Sequence, residues 1–70
     1  MLADVATTGE KLVRLRRGQG LTQAELSEAS GVAQSTIAQI ETGKRAKPHP
    51  GTLKKLAEAM GTDAAALLED

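Results

Sequence analysis

Apolar residues recur at helical spacings along most of the chain, and glycines cut the pattern into short pieces. Leu12 and Leu15 fall three apart in a proline-free polar stretch, which predicts a first helix over about 8–17. Gly18-Gln19-Gly20 stops it, since glycine supplies the left-handed turn at a helix end. Thr22-Gln23-Ala24-Glu25 reads as a capping box. The Thr22 hydroxyl accepts the Glu25 N–H, and the Glu25 carboxylate reaches back to the Thr22 N–H. A second helix therefore begins at Gln23, takes Leu26 and Ala29 as its apolar face, and ends at Ser30-Gly31. Ile37 and Ile40 mark the buried side of a third helix, about 34–42, closed by Gly43. Ala33 stands where a capping hydroxyl is expected, which forgoes ~1 kcal/mol.

Residues 44–51 read as a loop stiffened by Pro48 and Pro50. Pro50 also suits the first position of a following helix, where no N–H is needed. Leu53, Leu56, Ala57 and Met60 repeat at i, i+3, i+4, i+7, one face of a fourth helix that Gly61 closes. Thr62-Asp63 then caps a last short helix in which Ala64, Leu67 and Leu68 share a face. No period-two alternation marks a strand. The expectation is a compact all-α fold of five short helices over residues 8–70, preceded by a flexible tail, 1–7, without periodicity.

Composition narrows the function classes. A chain of 70 residues makes one small domain. It buries only ~60% of its unfolded surface, so its core is marginal. Without Phe, Tyr or Trp that core is aliphatic, and no aromatic ring stacks on a base. No cysteine and one histidine leave neither a thiol nucleophile nor a metal cluster, and no cofactor is expected. Gly18-Gln19-Gly20 lacks the third glycine and the strand–helix context of a phosphate-cradling loop. An enzyme is therefore not expected. The chain has no apolar run long enough to cross a membrane and no signal-peptide pattern, so the expectation is a cytoplasmic protein.

The formal net charge is zero, which argues mildly against a nucleic-acid partner. The distribution says more. Lys11, Arg14, Arg16 and Arg17 cluster in the first helix, and Lys44, Arg45, Lys47, Lys54 and Lys55 form a second run without an acid. On composition alone these are ordinary solvated faces.

The informative stretch is LTQAELSEASGVAQSTIAQIETG, residues 21–43. Gly31 joins two short helices where they can meet at a steep angle. Leu26, Val32, Ile37 and Ile40 point inward, and the small Ala24, Ser27 and Ala29 permit close approach. Here the sequence resembles the phage-repressor family of helix-turn-helix proteins, the Cro/repressor or XRE-like family. Gly9-Glu10, Leu12, Leu15-Arg16, Gly20-Leu21-Thr22-Gln23, Leu26, Gly31-Val32, Ser35-Thr36-Ile37, Ile40-Glu41, Gly43, Pro48, Thr52-Leu53, Leu56-Ala57, Met60-Gly61 and Leu67-Leu68 carry the resemblance.

It implies a five-helix, lambda-repressor-like DNA-binding domain whose helix-turn-helix spans about 22–42. The third helix would lie in the major groove of double-stranded DNA. Gln34, Ser35 and Gln39 would read bases; a Gln amide matches the N6 donor and N7 acceptor of adenine. Gln23 would contact phosphate and brace Gln34. Thr36, Lys44, Arg45, Arg17 and Lys47 would contact the phosphate backbone. Arg16 and Glu41 match a partly buried interhelical ion pair. His49, between two prolines, is a loop residue, while Thr8 and Thr62 replace apolar family positions and thin the core.

The resemblance points to a nucleoid-associated transcriptional regulator, a repressor binding a two-fold symmetric operator as a homodimer. The alternative is a protein-interaction module of the same fold, an antitoxin or coactivator meeting a toxin or antirepressor. Ala64, Leu67 and Leu68 would then supply the interface with a copy or a partner.

Overall fold

A computed structural model describes residues 7–45 and 47–68. Four α-helices follow one another: α1 (Thr8–Gly18), α2 (Gln23–Ser30), α3 (Gln34–Thr42) and α4 (Pro50–Ala59). A fifth helix is expected from sequence; the chain instead makes a 3-10 turn over Ala64–Leu67. Asp63 precedes it without a side-chain cap bond. Four residues cannot sustain the longer α-helical hydrogen-bond ladder, so the tighter turn is the natural outcome.

Local chemistry sets the helix ends. Thr7 falls within the expected tail, yet it caps α1. Its hydroxyl accepts the Glu10 N–H at 3.1 Å, and the Glu10 carboxylate accepts the Thr7 N–H at 2.9 Å. Residues 1–6 lie outside the described residues. The Thr22–Glu25 capping box starts α2 as read from the sequence, at 3.0 and 2.8 Å. Ala33 provides no side-chain cap to α3. His49 caps α4: its Nδ1 accepts the Gly51 N–H at 3.0 Å, so Pro50 and Gly51 belong to the helix rather than the loop.

The core gathers one side of every element. Leu12, Leu26, Val32, Ile37, Ile40, Leu53, Leu56, Ala57, Met60 and Leu67 are buried, and Leu15, Leu21, Ala59 and Ala64 pack against them. α3 lies against α1 and α2, α2 also meets α4, and the 3-10 turn seals α1 and α4. Thr8 is buried at the α1 end of this packing.

Two sequence expectations about faces do not hold. Ala24 and Ala29 are exposed, so α2 buries Leu26 alone. Ala64, Leu67 and Leu68 do not share a face either. Leu67 is fully buried in the core, Ala64 is half-buried against it, and Leu68 is exposed. Adjacent residues at the end of the turn point opposite ways, and the core claims Leu67. It is unavailable to any partner in this fold.

Candidate nucleic-acid interface

The turn between α2 and α3 is built from small polar side chains. Gly31 ends α2 at φ +78°, a left-handed conformation that a Cβ would strain. The Ser27 hydroxyl donates to the Val32 carbonyl at 2.6 Å, and the Ser30 hydroxyl accepts the Val32 N–H at 3.1 Å. Ser27 thus does more than leave room. It satisfies a turn carbonyl that no helix ladder reaches.

A polar hub sets how α3 sits on α1 and α2. Arg16 Nε donates to Glu41 Oε2 at 2.7 Å and its Nη2 to Oε1 at 3.0 Å, a forked ion pair between α1 and α3. Arg16 Nη1 donates to the Leu21 carbonyl at 2.8 Å. Gln23, at the first position of α2, donates its Nε2 to Glu41 Oε1 at 2.9 Å. The ion-pair side chains are only 10% and 6% exposed, so neither charge could be left alone at small cost. Burial pushes the Glu41 carboxyl up. Hydrogen bonds from Arg16 and Gln23, with the charges of Arg16 and Arg17, outweigh that and leave it below the ordinary carboxylate range. The Glu41 hydrogen bond raises the Arg16 guanidinium, against desolvation.

Sequence reading pairs Arg16 with Glu41 but assigns Gln23 to phosphate and to bracing Gln34. Its amide nitrogen donates to Glu41, a bond that the sequence reading does not include. Nothing in the local sequence signals this, because Gln23 and Glu41 are eighteen residues apart and meet only through the helix crossing.

Gly9 makes that crossing possible. A Cβ there would collide with the Ile40 carbonyl oxygen and sit 3.0 Å from that of Glu41. α1 and α3 therefore touch backbone to backbone beside the hub.

The opposite side of α3 is open. Ile37 and Ile40 are buried, while Gln34, Ser35, Gln39 and Thr42 are exposed and Thr36 is half-buried. Ser35, Gln39 and Thr42 recur at i, i+4, i+7 and form one polar stripe, with Gln34 beside its start. Thr42 is missing from the sequence-expected set, although that spacing signals it. Lys44, Arg45 and Lys47 follow and are exposed, as is Arg17. Gly43, at φ +87°, lets the chain leave α3 here. Arg45 does not extend away. Its backbone N–H donates to the Gln39 carbonyl at 3.1 Å, and its guanidinium donates to Gln39 Oε1 from Nη2 at 3.1 Å and Nε at 3.4 Å.

Residues 12–67 match the helix-turn-helix family. The transcriptional repressor RghR of Bacillus subtilis (strain 168) is 50% identical over 52 residues, 74% of this chain and 38% of that protein. The chain spans well under half the length of the Bacillus subtilis relatives it matches. Among solved structures, the restriction-modification controller protein C.AhdI from Aeromonas hydrophila superposes with a TM-score of 0.81 at 31% identity, covering 87% of this chain and 91% of that one. The biofilm master regulator SinR, solved in complex with DNA, superposes with a TM-score of 0.81 at 28% identity, covering 86% of this chain and 98% of that one.

Proposed function

This chain belongs to the helix-turn-helix family, and on that premise we propose that it is the DNA-binding domain of a transcriptional repressor. The carrying observation is the asymmetry of α3. One side is locked to α1 and α2 by Ile37, Ile40 and Glu41, and the other presents Ser35 and Gln39 to solvent, with Gln34 exposed at the start of the helix. A rigidly held helix with an amide-bearing outer stripe suits the major groove, where base edges offer paired donors and acceptors.

Gln34 reads a base from the first turn of α3. Ser35 and Gln39 continue along the groove. Lys44, Lys47 and Arg17 meet phosphates at its margins, with Thr36 at the helix edge. Gln23 has one amide proton left after its bond to Glu41, and that proton serves a phosphate oxygen. Phosphate contacts position the domain without carrying sequence information. They need several cations on one face rather than a basic chain, so zero net charge is no obstacle. It lowers non-specific affinity instead.

The domain acts as a homodimer on a two-fold symmetric operator, excluding polymerase. The relative RghR is called a repressor and SinR was solved with DNA, which supports DNA binding by a repressor. Such a protein works in the cytoplasm beside the nucleoid. No described helix is long and apolar enough to cross a membrane. The rival interaction-module reading has little apolar surface to use. Leu68 is the large hydrophobic residue exposed among the described residues, at 51%.

Selection of bound fragments from a random duplex pool at moderate salt tests the proposal. The expected product is a symmetric motif with half-sites ~10 base pairs or a multiple apart. Folded protein that enriches nothing would refute it and favour a protein partner.

A further inference from the structure

On the outer side of α3 the Gln39 and Arg45 side chains engage each other: two guanidinium N–H groups converge on one amide oxygen, at 3.1 and 3.4 Å. A guanidinium has donors and no acceptor, so the amide atom facing it must be the oxygen. Two donors on that oxygen use both of its lone pairs. The Arg45 backbone N–H also donates to the Gln39 carbonyl at 3.1 Å, which folds the segment after Gly43 back over the last turn of α3. Side chain and main chain therefore place Arg45 against Gln39 together.

We propose that Arg45 is a specificity-determining residue that acts through Gln39: it turns the glutamine into a pure hydrogen-bond donor, so the pair selects guanine over adenine. A free Gln offers adenine one acceptor, for N6, and one donor, for N7. With Oε1 engaged by Arg45, the adenine N6 donor finds no partner and faces a positive charge. The Gln39 amide protons and the unused guanidinium N–H groups form an all-donor array. Guanine presents two acceptors in the major groove, N7 and O6, and matches it. Among the described residues no guanidinium engages the Gln34 amide oxygen, and Gln34 keeps the adenine-type pattern. Two glutamines on one helix thereby read different bases.

The inference rests on the DNA-binding reading above, and its test separates the two. From the operator selected by the intact chain, duplexes varied at single base pairs are titrated with wild type, Arg45→Ala, Gln39→Ala and the double variant. Both positions are exposed, and circular dichroism verifies that each variant is folded. Wild type should favour G·C over A·T by ~10-fold at the pair whose discrimination Gln39→Ala abolishes. Arg45→Ala should lose or invert that preference and leave the preference at the Gln34 pair intact. In the Gln39→Ala background, removing Arg45 should lower affinity equally for every sequence. Arg45→Ala that weakens all duplexes alike and retains the guanine preference would overturn the inference alone, making Arg45 a phosphate contact. A wild-type chain that enriches no operator would overturn both readings.

Discussion

On its inner side α3 buries Ile37 and Ile40 and holds Glu41 among donors from α1 and α2, whereas on its outer side Gln34 and Ser35 face solvent. Two short helical turns thus carry two separate tasks. The inner residues decide where the helix is, and the outer ones are left open to solvent. Aliphatic packing brings α3 to a preferred crossing, but the hydrophobic effect behind it is non-directional and leaves the fine setting to polar contacts. The forked Arg16–Glu41 pair with Gln23 allows one arrangement, since each hydrogen bond demands its own distance and angle. Substitutions on the two sides should separate accordingly, one set reaching stability and the other binding.

The largest effect is expected from Glu41→Ala. It strands a nearly buried Arg16 guanidinium and the Gln23 amide, a loss of ~3–5 kcal/mol. At ~4–8 °C per kcal/mol for a small domain, thermal denaturation followed by circular dichroism will show it readily. Replacing both partners, Arg16→Met with Glu41→Leu, should recover most of that loss by removing both buried charges. If the double variant still folds but loses base discrimination, the hub is shown to orient α3 as well as to stabilise it.

Gly9→Ala comes next. Helix propensity alone predicts a gain of ~1 kcal/mol. The clash with the Ile40 carbonyl opposes it, and overpacking costs ~1–3 kcal/mol. A net loss in urea denaturation is expected. A net gain would mean that α1 and α3 can part without penalty.

The outer side should behave in the opposite way. Gln34→Ala should leave the denaturation midpoint unchanged and cost ~1–3 kcal/mol on the selected operator, relaxing preference at one base pair. Lys44→Ala should weaken every sequence alike and reduce the salt slope by ~1. Titrations at several salt concentrations distinguish the two signatures.

Acid gives the smallest and most specific effect. Folding holds Glu41 below its ordinary range, and Glu10 too, through backbone and then side-chain hydrogen bonds with Thr7. Groups depressed in the folded state contribute fully above their unfolded value of ~4.3. That contribution disappears as pH falls through the folded values. Stability should therefore be flat near neutrality and decline below about pH 4. Glu41→Gln should flatten the decline, which melts across pH will reveal.

Local determinants were written in the chain and could be read there. The Thr22–Glu25 box, the glycines after α2 and α3, and the i, i+3, i+4, i+7 run from Leu53 to Met60 act within a few residues. Their consequences survive any tertiary arrangement. The Thr7–Glu10 box was equally local and shows that a cap can hide in an aperiodic stretch. The exposure of Ser35 and Gln39 followed from the position of Ile37 and Ile40 on the same helix, whereas that of Gln34, three residues before Ile37, did not, and the Arg16–Glu41 pair was legible only through the family resemblance.

Other features depended on which elements met in space. Gln23 could reach Glu41 only once α2 and α3 had crossed. Gly9 acquired its importance from the carbonyls of Ile40 and Glu41 in α3, far along the chain, and Leu67 turned inward because α1 and α4 offered a place for it while Leu68 had none. Arg45 folded onto Gln39 because Gly43 turned the chain back. Spacing along a chain specifies which residues share one helix face. Hydrogen bonds between faces also need the angle and distance between helices, and only the packed core supplies those.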